Sequence, residues 1–291
     1  MAASLNQVFF PSAFPELFAA WERFPNAAIY AGGTALIRNQ GNRIPVLPPE
    51  IISLDKMEEL HRISRTERYL EIGAMVKLNH ILRLGKIVPE ALALCIGAIA
   101  GPQLRSLATV GGNLCNPSRR LDVSAPMIAL DAQFELRRAQ STRWIAASRF
   151  SSLPGPPLLA PNEILTRIRV PIEPWAFTSY LKFRCPGSSE PGGGILFIMR
   201  NEKDILANIR VIYSGQTILR EKNSETMLAG KALPLHRKDA IAFVESWRNS
   251  LSLFRNNDMF VFGRDSRKAN PELAKVQILN FIESTIMQLS D

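Results

Sequence analysis

Apolar and polar positions along this chain follow helical and strand periods in turn, and the sequence of periods changes character near residue 175. Gln7-Val8-Phe9-Phe10-Pro11 reads as a short strand ended by proline. Leu17, Phe18, Ala20 and Trp21 then share one face of a helix opening at Ser12 or Pro15. Ala27 to Tyr30 form a short apolar strand running straight into Gly32-Gly33. Ala35-Leu36-Ile37-Arg38 continues as a helix or an extended segment, and 51–55 is a further strand. Residues 1–55 thus predict a small βαβ-like unit. Next come a strand at 69–74 ending at glycine, helices at 77–84, 89–100 and 124–130, and strands at 133–138 and 164–170. The proline-rich stretch 154–161 reads as an ordered connection.

Beyond 171–174 the pattern becomes strand-like, with 177–184, 195–200 and 205–213 forming an antiparallel sheet and a Pro/Gly/Ser-rich connection at 186–194. Helices at 224–229, 237–253 and 270–289 close the chain. Asn270 and Pro271 supply the N-cap and first position of the last one. Its core stripe is Leu273, Val276, Ile278, Leu279, Ile282 and Ile286. The expected class is α+β, with domains 1–175 (subdomains about 1–55 and 56–175) and 176–291.

Composition narrows the function classes. With 46% hydrophobic and 21% charged residues over 291 positions, the chain has the makeup of a soluble globular protein. No stretch reaches the roughly 18 apolar residues of a membrane span, and Met1 to Asn6 lack the basic-then-apolar pattern of a secretory signal. Cys95, Cys115 and Cys185 are scattered, so neither zinc nor an iron–sulfur cluster is expected on this chain, and a reducing cytoplasm suits it. The net charge of +9 fits either a solvated arginine-rich surface or a basic face for an acidic partner or an anionic cofactor. Basic residues are spread along the chain without aromatic interleaving, which argues against nucleic acid.

The candidate chemistry lies in two glycine pairs. Thr109-Val110-Gly111-Gly112-Asn113-Leu114-Cys115-Asn116 sets two glycines among apolar residues, and Ala31-Gly32-Gly33-Thr34-Ala35-Leu36 repeats the theme. Two such turns can bring backbone N–H groups to bear on one anion, the usual way of holding a diphosphate. No Gly-x-Gly-x-x-Gly fingerprint, P-loop or Gly-x-Ser-x-Gly elbow is present, and His61, His80 and His236 form no ligand pair.

The string Ile99-Ala100-Gly101-Pro102-Gln103-Leu104-Arg105-Ser106-Leu107-Ala108-Thr109-Val110-Gly111-Gly112-Asn113, with the upstream pair, resembles the FAD-binding (medium) subunits of molybdenum hydroxylases, the xanthine dehydrogenase and carbon monoxide dehydrogenase group. The resemblance spans about 5–285 and is strongest at 29–36 and 99–122. It implies an FAD-binding vanillyl-alcohol-oxidase-type (PCMH-type) fold of two α/β subdomains, followed by a small antiparallel sheet with helices. It implies that Ala31, Gly32, Gly33, Thr34 and Ala35, flanked by Ile29, Tyr30 and Leu36, form one FAD diphosphate loop. Thr109, Val110, Gly111, Gly112 and Asn113 form the other. It further implies that Asp122 accepts from the cofactor's sugar-like hydroxyls, that Leu165 of Glu163-Ile164-Leu165 packs on the flavin, and that Lys182 of Tyr180-Leu181-Lys182 lies by the flavin ring. Cys115 falls inside the second motif and is read as packing.

By the same resemblance the chain passes electrons from an iron–sulfur subunit through FAD to an external acceptor, with 2Fe–2S clusters and a molybdenum cofactor on partner subunits. No catalytic residue and no metal ligand fall on this chain. Relatives carry an arginine pair and an aspartate after Tyr-x-Lys, whereas here Phe183-Arg184-Cys185-Pro186 keeps one arginine, which leaves the acceptor, NAD or another, open. Two rivals stand beside this reading. A self-contained FAD-dependent oxidoreductase would bleach its flavin with substrate alone. A flavin-free assembly subunit would join its partners without FAD.

Overall fold

The computed structural model describes residues 7–39, 46–117, 122–151, 157–184, 191–260 and 270–290. Its first unit runs β1 (Gln7–Phe9), α1 (Phe14–Arg23), β2 (Ala28–Tyr30), α2 (Thr34–Asn39) and β3 (Glu50–Ser53). The three strands pair in parallel in the order β1-β3-β2. Parallel neighbours need a crossover, and α1 supplies one, burying Phe14 and Leu17 against Ile52, Leu54, Met57 and Leu60.

The middle of the chain forms β4 (Ile63–Arg65), β5 (Tyr69–Gly73), α3 (Leu78–Arg83), α4 (Glu90–Gly97), α5 (Pro102–Leu107), α6 (Val110–Leu114) and α7 (Ser124–Ala129). It continues through β6 (Gln133–Arg137), β7 (Thr142–Ala146), α8 (Ala147–Phe150) and β8 (Ile164–Pro171). The strands make an antiparallel sheet in the order β4-β5-β8-β6-β7. The two edge strands carry no periodic signal, because β7 buries only Ile145 and β4 only half-buries Ile63, so the sequence pattern misses both. The helix expected over 89–100 stops at Gly97. Arg105 ends it by donating from Nη1 to the carbonyls of Gly97, Ile99 and Ala100 at 3.0, 2.7 and 2.7 Å, and Ala100 turns to φ +37°.

The last part comprises β9 (Phe177–Arg184), β10 (Pro191–Glu202), β11 (Ile205–Ser214), β12 (Ile218–Leu219), α9 (Lys222–Leu228), α10 (Arg237–Leu253), α11 (Asn256–Met259) and α12 (Pro271–Met287). Its sheet is antiparallel in the order β12-β11-β10-β9. Both faces are covered, which is why 195–199 reads as an unbroken apolar run. Ile195, Phe197 and Met199 join a core with Trp247, Phe243 and Ile282, while Leu196 and Ile198 join the core of the middle region with Met127 and Cys95. The connection expected at 186–194 is shorter than anticipated, since 191–194 belong to β10; residues 185–190, Cys185 among them, lie outside the described residues. In α12, Asn270 Oδ1 accepts from the Leu273 N–H at 3.1 Å, as expected of the cap. The core stripe is Ala274, Ile278, Leu279, Ile282, Thr285 and Ile286, and Leu273 and Val276, expected in it, are 45% and 46% exposed. Among the described residues, no helix is long and apolar enough to cross a membrane.

One ion pair ties edge strand β7 to the entrance of β8. Arg143 Nε and Nη2 donate to Glu163 Oε1 and Oε2, each at 2.7 Å, and the Ala160 N–H adds a third bond at 2.9 Å. The Glu163 side chain is 3% exposed, and the Arg143 hydrogen bonds hold its carboxyl below the usual carboxylate value. Its stabilisation is therefore complete above the unfolded pKa of about 4.3 and lost as pH falls through the lower folded value.

Arg143→Ala will lower stability in urea unfolding at pH 7 by about 1–3 kcal/mol, the cost of stranding a buried acceptor. The gap from the parent protein will narrow below about pH 4; a pH-independent gap would show that packing, not the charge pair, carries it. Asn270→Ala will cost about 1 kcal/mol by the same measurement, and an unchanged midpoint would show the cap to be idle.

Candidate cofactor site between the two glycine segments

β2 delivers the first glycine pair. Gly33 sits at φ +68°, a conformation few other residues tolerate, and a Cβ there would lie 2.3 Å from the Tyr30 hydroxyl folded over it. A Cβ on Gly32 would lie 2.3 Å from the Leu107 carbonyl oxygen and 3.1 Å from Ala108 Cα. The two segments, distant in sequence, thus touch backbone to backbone through a bare glycine.

The second pair differs from the tight anion-holding turn expected: it is the first turn of α6. Thr109 is the N-cap, its Oγ1 accepting from the Gly112 N–H at 3.0 Å. Val110 and Gly111 donate to the Val76 and Ala74 carbonyls at 3.0 and 2.9 Å, and Asn113 donates to the Thr109 carbonyl at 3.0 Å. All four N–H groups from Val110 to Asn113 are therefore spent inside the protein. Gly111 is pressed onto Ala74, where a Cβ would meet the carbonyl oxygen at 2.7 Å. A Cβ on Gly112 would press on the capping Thr109 Oγ1 at 2.9 Å and otherwise meet only Ala31 Cβ at 3.9 Å, so beyond the cap hydroxyl this glycine faces open space.

That space is a cavity of about 780 Å³. Of the residues singled out in the sequence, Ile29, Tyr30, Ala31, Gly32, Gly33, Thr34, Ala35, Leu36, Thr109, Gly111, Gly112, Asn113 and Leu165 line it. Val110 does not; it is fully buried in the core behind α6. Cys115 lines the cavity too, with its thiol pushed up to about 12 by burial and hence protonated. Trp21, Asn116 and Glu163 also line it. Trp21 reads in sequence as one more apolar residue of α1, and no local signal separates it from its neighbours.

The polar inventory of the wall is uneven. Among the described residues, nothing accepts from the N–H groups of Gly32, Gly33, Thr34 or Ala35, and these open the cavity-lining end of α2. Asn113 Oδ1 is buried and, among the described residues, has no donor. The Glu163 carboxylate is already held by Arg143 and Ala160. The wall thus offers unspent donors for an anion, one acceptor awaiting a donor, and one glycine face that a side chain would fill. A dinucleotide with a diphosphate would fit all three.

Asp122 and Lys182 are not in this wall, and they meet each other instead. Lys182 Nζ donates to Asp122 Oδ2 at 3.0 Å and to the Ala98 carbonyl at 3.2 Å, and the Tyr180 hydroxyl donates to Asp122 Oδ1 at 2.7 Å. Their side chains are 11% (Asp122) and 26% (Lys182) exposed. Burial, with the Asp122 charge beside it, pushes the Tyr180 hydroxyl well above its usual value. Among the described residues, no group of His, Cys, Asp and Glu could hold a metal ion.

Residues 4–173 match the family model described as the FAD binding domain in molybdopterin dehydrogenase. The chain is 30% identical over 156 residues to the xanthine dehydrogenase FAD-binding subunit of Escherichia coli O157:H7, a match covering 52% of each, so it spans about half the length of that relative. It is 29% identical over 226 residues to the carbon monoxide dehydrogenase medium chain of Hydrogenophaga pseudoflava, covering 75% of this chain and 77% of that one. In structure it matches a chain of the Hydrogenophaga pseudoflava carbon monoxide dehydrogenase at TM-score 0.79 and 24% identity, over 96% of this chain and 95% of that one. It matches a chain of quinoline 2-oxidoreductase from Pseudomonas putida 86 at TM-score 0.79 and 17% identity, over 98% and 96%. The parallel three-stranded unit, the antiparallel sheets and the paired glycine segments are accordingly those of the FAD-binding PCMH-type fold, and the chain belongs to the family of FAD-binding domains of molybdopterin dehydrogenases.

Proposed function

We propose that this chain holds FAD across the cavity between its glycine segments and works as the electron-transferring flavoprotein subunit of a molybdenum-dependent dehydrogenase. The observation that carries the reading is the row of unspent N–H groups from Gly32 to Ala35 beside the bare face of Gly112 and the donorless Asn113 Oδ1. FAD bound there would supply the redox chemistry of electron transfer between carriers. The residues of this chain do the rest. Gly32 to Ala35 donate to the diphosphate, and Asn113 accepts from the cofactor. Leu165, which lines the cavity, would pack against the flavin. Asp122, with acceptor capacity left beyond its two donors, takes a hydroxyl hydrogen bond. Lys182, by the resemblance, would bring a cationic side chain near the ring system and favour the electron-rich form of the flavin.

The relatives' names support the subunit role. They include an FAD-binding subunit, a medium chain and the nicotinate dehydrogenase FAD-subunit of Eubacterium barkeri, 29% identical over 224 residues. An iron–sulfur subunit would then feed electrons to this chain. A large subunit with the molybdenum cofactor would carry the substrate, and an external acceptor would receive the electrons. No catalytic acid, base or nucleophile is needed on this chain.

Gly112→Val tests the binding reading, because its branched side chain would occupy the space beyond Cβ that the cofactor needs. The variant will fold and lose FAD, measured as flavin released on denaturation per chain. Gly111→Ala will instead lower the yield of folded protein, since its Cβ meets the Ala74 backbone 2.7 Å away. A Gly112→Val protein that keeps its FAD at the parent's ratio contradicts the assignment.

A further inference from the structure

Tyr180 belongs to neither glycine segment and does not line the cavity, yet its hydroxyl makes a short bond to a proposed cofactor ligand. Its seat is built by the sheet. Tyr180 and Lys182, two positions apart on β9, project to the same face, and they pair with Leu196 and Gly194 of β10. A Cβ on Gly194 would lie 2.1 Å from the Tyr180 hydroxyl oxygen, so the phenol lies along the sheet over a glycine and reaches Asp122 only because that residue has no side chain. The two donors from β9 take one Asp122 oxygen each, Tyr180 at 2.7 Å and Lys182 at 3.0 Å, and so fix the plane of the carboxylate. Each oxygen keeps acceptor capacity for one further donor.

We propose that Tyr180, seated over Gly194, is a positioning residue of the cofactor site: it holds the Asp122 carboxylate in the plane in which it accepts from an FAD hydroxyl while staying paired with Lys182. This rests on the proposed FAD reading. It places the C-terminal sheet in the binding site through a bond that neither glycine segment makes. Tyr180 thereby acts on FAD through Asp122 alone.

The test is an FAD titration of the flavin-stripped full chain with four companions: Tyr180→Phe, Gly194→Ala, Asp122→Asn and the Tyr180→Phe/Asp122→Asn double variant. Tyr180→Phe deletes one oxygen and will raise the FAD dissociation constant about tenfold, the size expected when Asp122, no longer held in its plane, loses its own charge-assisted bond to the FAD hydroxyl. Gly194→Ala will reproduce that loss by displacing the ring. In the Asp122→Asn background, Tyr180→Phe will change the constant by less than about twofold, because the two act as one unit. A purely structural role for Tyr180 would weaken FAD binding equally in the Asp122→Asn background, so the double variant separates positioning from packing. Tyr180→Phe binding FAD within about twofold of the parent, or multiplying with Asp122→Asn as an independent site does, overturns the proposal. If the parent chain itself binds no FAD, the FAD reading falls and takes this proposal with it; binding by the parent with an indifferent Tyr180→Phe removes the proposal alone.

Discussion

The site hangs on one backbone contact, Gly32 against the carbonyl of Leu107. Any side chain at Gly32 would hold the two segments apart and open the wall between them. The contact is useful only because the second segment is itself fixed. Leu78 donates to the Ala108 carbonyl, and Val110 and Gly111 donate to Val76 and Ala74. Ala74 in turn donates to Thr166 on β8, next to Leu165. A short ladder of main-chain bonds thus runs from the five-stranded sheet through 74–78 to α6, and the glycine contact carries it on to α2.

The two glycine segments, alike in sequence, do different work. In the second, every N–H from Val110 to Asn113 is bonded within the protein, so it contributes shape, through Gly112, and an acceptor, through Asn113. In the first, the donors are free to meet an anion. Backbone N–H groups of lining residues that no protein acceptor has taken need break no internal hydrogen bond when the ligand arrives. A symmetrical clamp, with donors from both loops, is not what the structure has.

Much of this was legible in the sequence, and the remainder has identifiable causes. Paired glycines beside threonines announce tight turns and close approach because only glycine serves there, and all but one of the residues marked in the two segments do line the cavity. The fate of their N–H groups was not legible, since it depends on which carbonyls of 74–76 the fold brings alongside. Val110 looked like part of the loop and is core, because α6 turns it toward the sheet. Asp122 and Lys182 were each tied to the cofactor by resemblance; that they pair with one another is a contact across 60 residues with no local signature. In α12 the interval from Ala274 to Ile278, Ile282 and Ile286 sets the buried stripe, and Leu273 and Val276 fall beside it despite their hydrophobicity.

The division of labour between the segments can be read directly by amide hydrogen exchange with and without FAD. On this account the amides of Gly32, Gly33, Thr34 and Ala35 exchange freely in the flavin-free chain and slow sharply when FAD binds, while those of Val110 to Asn113 are protected in both states. FAD binding that leaves the exchange of Gly32 to Ala35 unchanged would contradict it, and would place the cofactor's diphosphate elsewhere.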